Sequence, residues 1–114
     1  VREIIFYRTE LGDCPVEDFL DSLDGKQAQK VAWVMRLVEE LDRIPEQYFK
    51  KLESAGNVWE IRAQLGSSAF RLLGFFDGSG NFIISHGFRK KTQKTPLREI
   101  ELSEKHKCDY SKRR

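Results

Sequence analysis

The chain has 114 residues, 39% hydrophobic and 33% charged, with 20 Lys and Arg against 18 Asp and Glu for a net charge of +2. That length fits one domain, 1–114, burying roughly two thirds of its unfolded surface; no structural metal or disulfide is needed, and the composition excludes a disordered or fibrous chain. No apolar run reaches the roughly 20 residues of a membrane span and no secretory signal is visible, while Cys14 and Cys108 stand far apart without metal-ligand spacing, so a reducing, cytoplasmic location is expected.

The sequence opens at Val1, which implies that an initiator Met is removed or lies outside the numbering. Arg2–Arg8, REIIFYR, is β-branched and aromatic and predicts a strand. Pro15 suits the first turn of a helix, and Val16, Phe19, Leu20 and Leu23 recur at helical spacing, so a helix is predicted over 15–23, ended by Gly25. A longer helix is predicted from Lys26 to Asp42, with Val31, Val34, Met35, Leu37, Val38 and Leu41 as its apolar stripe. These two helices form a hairpin whose stripes belong to the core.

Three strands follow. Over 57–64 the residues alternate, with Val58, Glu60, Arg62 and Gln64 on one face and Trp59, Ile61 and Ala63 on the other. Ala69–Asp77 is more apolar, DGSGN at 77–81 signals a turn, and Asn81–Lys90 is the next strand, giving an antiparallel meander. Thr95 and Pro96 predict the cap and first residue of a final helix reaching about Cys108, with a thin stripe of Leu97, Ile100 and Leu102. The order β-α-α-β-β-β-α segregates strands from helices and predicts an α+β fold, an antiparallel sheet with an N-terminal helical hairpin and a C-terminal helix.

The small net charge hides an asymmetry. Six acids and no base lie between Thr9 and Gly25, whereas Arg89, Lys90, Lys91, Lys94 and Arg98 stand between Asp77 and Glu99 with no acid among them. A further basic tail runs through Lys105, Lys107, Lys112, Arg113 and Arg114. Such a patch is either a polyanion site or a solvated face balanced by the acidic one. The usual catalytic motifs are missing: GSGN has no following helix and lysine to cradle a phosphate, His86 and His106 are far apart in sequence, and Ser67, Ser68 and Ser85 lack the context of a nucleophile.

What remains is basic residues on strands. Arg71 either binds phosphate or pairs structurally with Glu60; His86 is either an acid–base group or a satisfied strand histidine. Cleavage of an RNA phosphodiester needs a base for the 2′-OH, positive charge at the phosphate and an acid for the leaving 5′-oxygen. Arginine forks match phosphate oxygens. Phe88, and in a second reading Trp59, can stack on bases, although Trp59 also suits the core.

At VWEIRAQLGSSAFRLLGFF and HGFRKKTQKTP the sequence resembles toxins of type II toxin–antitoxin systems, in the RelE/ParE superfamily and its phage-related, HigB-like branch. The resemblance implies a RelE-like fold and a ribosome-dependent mRNA endoribonuclease acting without metal or cofactor. It implies as partners mRNA on the ribosome and a cognate antitoxin, commonly a helix-turn-helix protein. By motif position it implies catalytic roles for Arg71 and Arg89 and a binding role for Arg62, where the neighbouring Glu60 replaces a position that can be basic. A tyrosine found in some members at the start of the last helix is missing, Tyr110 being too far along, so the general base falls to His86 or a lysine, with Lys91 as the candidate. Lys90, Lys94, Arg98 and Phe88 are expected to bind RNA or the ribosome. Alternatives on the same scaffold are a ParE-like inhibitor of DNA gyrase acting by binding, and a non-catalytic prophage protein that binds nucleic acid.

Overall fold

The computed structural model describes residues 2–53 and 56–113; of the basic tail, Arg114 lies outside the described residues, as does Val1. The described residues form an α+β fold of five strands and three helices: β1 (Ile4–Phe6), α1 (Pro15–Asp21), α2 (Gly25–Glu40), β2 (Phe49–Lys51), β3 (Trp59–Leu65), β4 (Ser68–Phe76), β5 (Phe82–Lys90) and α3 (Leu97–Lys112). The sheet order is β1-β5-β4-β3-β2.

β3, β4 and β5 form the expected antiparallel meander, with Arg62 opposite Arg71 and Arg71 opposite Phe88. Two features differ from the expectation. The sheet is mixed, because β1 pairs in parallel with β5, the last strand of the chain, after the helical hairpin and three further strands. An additional strand, β2, pairs with the first half of β3; its three residues, FKK, are too short to show an alternation.

α1 packs on β5 and α2 on β3, both on what we call the inner face. Val16, Val31, Val34 and Val38 meet Ile61, Ala63, Phe70, Leu72, Phe82 and Ile84 there, all buried. Each such side chain contributes about 1.5–3 kcal/mol on burial, so this layer fixes which way every strand residue points. Trp59 belongs to it, its ring stacked on Phe49 at 4.8 Å. Gly87 does too: a Cβ there would run into the ring of Phe19 on α1.

Local chemistry sets the helix boundaries. Asp24 accepts from the Gln27 backbone N–H while Gln27 Oε1 accepts from the Asp24 N–H, a capping box. Gly25 is therefore the first residue of α2 and not the stop of α1, which ends at Asp21. At α3 the N-cap is Pro96; Thr95 instead donates its hydroxyl to Glu60. No helix among the described residues is long and apolar enough to cross a membrane.

α3 lies over β4 and β5 on the opposite, outer face. It buries little apolar surface: Ile100 is 4% exposed, while Leu97 is 63% exposed. Polar contacts make up the difference, as described below.

Candidate functional site

The part of the outer face not covered by α3 carries charge. Alternation on three neighbouring strands places Glu60 and Arg62 of β3, Arg71 of β4 and Lys90 of β5 on it. Glu60 is 3% exposed and sits at the centre, its Oε1 3.5 Å from Arg62 Nε and 3.5 Å from Arg71 Nε. Its other oxygen accepts from Thr95. Arg71 is itself buried and donates from Nη1 to the Phe70 carbonyl at 2.9 Å. The Nε–H groups of both arginines are buried without a hydrogen-bond partner among the described residues. Burial, together with the charge of Arg71, holds the Lys90 amine below the ordinary lysine range, with Arg62 and Lys50 adding to the effect and Glu60 opposing it.

Two recesses open beside this cluster. One, of about 360 Å³, lies at the edge of β3 and is lined by Lys30, Gln47, Tyr48, Arg62, Gln64 and Arg71 among others. The second, of about 320 Å³, is lined by Lys50, Lys51, Leu52, Glu53, Lys94, Thr95 and Ile100. It exists because the segment after β5 crosses back over the outer face, tied down by the Thr95–Glu60 hydrogen bond, and brings Lys94 beside Lys50 and Lys51.

The residues singled out from the sequence are thus divided. Arg62, Arg71 and Lys90 share the outer-face cluster. Arg89 points to the inner face, where its Nη2 donates to Gln27 Oε1 at 3.3 Å and its guanidinium lies over the Phe70 ring at 5.3 Å. Lys91 and Lys94 are exposed in the crossing segment, and Arg98 is exposed beside Glu99. Phe88 is half-buried against Val58, Leu73 and Ile100. Tyr48, Lys30, Gln47, Lys50 and Lys51 had no signal in the sequence, since a loop, a helix and a short edge strand supply them.

His86 lies elsewhere on the outer face, 5% exposed beneath α3. A register shift at Leu73 and Gly74 leaves Ser85 as an extra residue, so Ser85 and His86 both turn toward α3. His86 Nε2 meets Glu99 Oε1 at 3.0 Å, His86 Nδ1 meets Ser85 Oγ at 2.9 Å, and Ser85 Oγ meets His106 Nδ1 at 2.6 Å. With both rings neutral the chain has one consistent direction: His106 donates to Ser85, Ser85 to His86, and His86 to Glu99. Burial lowers His86 despite Glu99, and burial with the neighbouring His86 brings His106 down to about 4. His106 stacks on Tyr7 at 4.2 Å, and the Tyr7 hydroxyl donates to Asp109. Serine, histidine and carboxylate in a row suggest a hydrolase, but Ser85 is wholly buried and its oxygen is engaged on both sides. The network fastens α3 to the sheet.

Among the described residues no group of three or more His, Cys, Asp or Glu converges to hold a metal ion. Cys14 is buried and Cys108 exposed, and both are free thiols.

The sequence profile described as "Phage derived protein Gp49-like (DUF891)" matches residues 18–107, from α1 into α3. The chain belongs to the Gp49-like family. These are RelE-like, toxin-like phage proteins, and the matched span contains the charged cluster, both recesses and the His86 network. No curated protein matches the chain.

Proposed function

We propose that this Gp49-like protein is the toxin of a type II toxin–antitoxin system, in the HigB-like branch of the RelE/ParE superfamily, and that it is a ribosome-dependent endoribonuclease working without metal. The observation that carries the proposal is the cluster of Arg62, Arg71 and Lys90 around Glu60, on a part of the outer face that α3 leaves uncovered. Family membership supports it.

In this reading Arg62 and Arg71 hold the scissile phosphate, where preorganised donors stabilise charge that develops as the 2′-oxygen attacks. Lys90 moves the proton. An amine held below the ordinary lysine range is a better-populated base than a free lysine and an acid when protonated. His86 serves α3, and Arg89, Lys91, Lys94 and Arg98 dock the protein on ribosomal RNA. The partner is a small antitoxin of the helix-turn-helix type.

The test is primer extension on cellular mRNA after brief induction, with and without a translation-blocking drug. Cuts within translated frames that disappear with the drug are expected. Lys90→Met, which keeps the side-chain volume and removes the amine, should slow cutting by about 100-fold or more with an unchanged fold. Growth arrest without cuts would move the activity to gyrase, and normal growth without cuts would overturn the toxin reading.

A further inference from the structure

The recess at the edge of β3 has a chemistry distinct from the phosphate cluster it adjoins. On one side stand Arg62 and Arg71, the latter 7% exposed, both held through Nε by Glu60 at 3.5 Å. On the other stands Tyr48, whose ring is braced edge-on by Trp33 at 5.5 Å; Trp33 in turn carries Lys30 over its face at 4.4 Å. Gln47 and Gln64 complete the lining with Ala63. Gln64 Nε2 already donates to the Gly66 carbonyl at 3.2 Å, which orients that amide and leaves its oxygen to accept.

We infer that this recess is a nucleotide subsite, holding the base of a single-stranded RNA next to the phosphate gripped by Arg62 and Arg71. The inference rests on the phosphate-binding reading of that cluster and adds a place for the base. Three elements of single-strand recognition meet there: guanidinium groups for the backbone, an aromatic face for stacking, and amides that pair with base edges. β2 pairs with the first half of β3 and the Tyr48 carbonyl takes the Arg62 N–H at 2.8 Å, so beyond Arg62 that edge has no further strand beside it. An acidic peptide would match the arginines and Lys30 but brings no flat base to stack on the Tyr48 ring, so the lining favours a nucleotide.

The probe is a fluorescein-labelled RNA tetranucleotide, titrated by anisotropy against the full chain, with inorganic phosphate and a glutamate-rich peptide as competitors. Tyr48→Ala is expected to weaken RNA binding about tenfold or more, and Tyr48→Phe to leave it nearly unchanged. Phosphate should compete equally well against wild type and Tyr48→Phe. Gln64→Ala is expected to alter the preference among the four homotetramers. If Tyr48→Ala loses its fold, Tyr48→Leu, which retains apolar bulk beside Trp33, carries the same expectation. RNA binding unaffected by loss of the ring would overturn the subsite, as would stronger binding of the glutamate-rich peptide that depends on Tyr48. Cutting of translated mRNA by a Tyr48→Ala protein with wild-type affinity would overturn the subsite alone. Tyr48-dependent binding without cutting would keep the subsite and overturn the nuclease.

Discussion

Glu60 is the residue on which the charged face turns. It is buried, yet it faces two arginines and a threonine hydroxyl, so it fixes both guanidinium groups and ties the crossing segment to the sheet. Removing one member of a buried ion pair leaves the other charge uncompensated, which costs more than the pair itself contributes. Glu60→Gln is therefore expected to lower the unfolding free energy by about 3 kcal/mol, read from urea denaturation. The double change Glu60→Met with Arg71→Met should recover most of that loss, because it removes both charges and keeps the volume. A double variant as unstable as the single one would mean that Glu60 acts through Arg62 or Thr95 and not through Arg71. At this scale part of the site was legible: alternation alone puts Glu60 and Arg62 on one face, and antiparallel pairing adds Arg71. The same alternation within β5 separates Arg89 from His86 and Lys90. Grouping all of them by sequence nearness obscured that parity.

Among the elements, the helices of the hairpin were legible because their apolar stripes are strong, and the meander because its strands alternate. β2 was not, since three residues carry no period, and the parallel pairing of β1 was not, since it depends on contacts far apart in sequence. α3 shows why a thin stripe is not a weak attachment. Its link to the sheet runs through Glu99, His86, Ser85 and His106, and through Tyr7 to Asp109, which Arg113 also holds at 2.8 Å. No sequence period reports such a network. It has a pH signature. His106 is held neutral in the folded chain down to about 4, whereas in the unfolded chain it protonates near its ordinary 6.5. Between those values the unfolded state binds more protons, so stability is fully present above about pH 6.5 and is lost as the pH falls toward 4. The lowered His86 acts in the same direction. A loss of stability is expected between pH 7 and pH 4.5, tempered by the partial exposure of His106, measured from urea midpoints. In His106→Asn the slope over that range should flatten. An unchanged slope would place the titration in other groups.

Across the whole molecule, the fold gathers basic residues from separate parts of the sequence near one edge of the sheet. The acids of α1 ride over β5 on the inner face, whereas Lys50, Lys51, Lys94 and Arg62 gather near β2 and β3, with Lys90 reaching them electrostatically. A net charge of +2 therefore understates the field at the basic edge, and approach to a polyanion is directed there. Each phosphate neutralised on a single strand lowers the slope of log affinity against log salt by about 0.7. Removing Lys50 and Lys94 together, as alanines, deletes two such contacts from exposed positions that no helix or core cluster needs. The affinity for a single-stranded RNA long enough to span both recesses should then fall, and the salt slope should become shallower by about 1.4. Asp18→Asn with Asp21→Asn, on α1, should leave that slope unchanged. The decisive comparison is between the two pairs in titrations from low to moderate salt. Effects equal in size and opposite in sign would show that only net charge matters, and an effect confined to the lysines would establish the basic edge as the path of the RNA backbone.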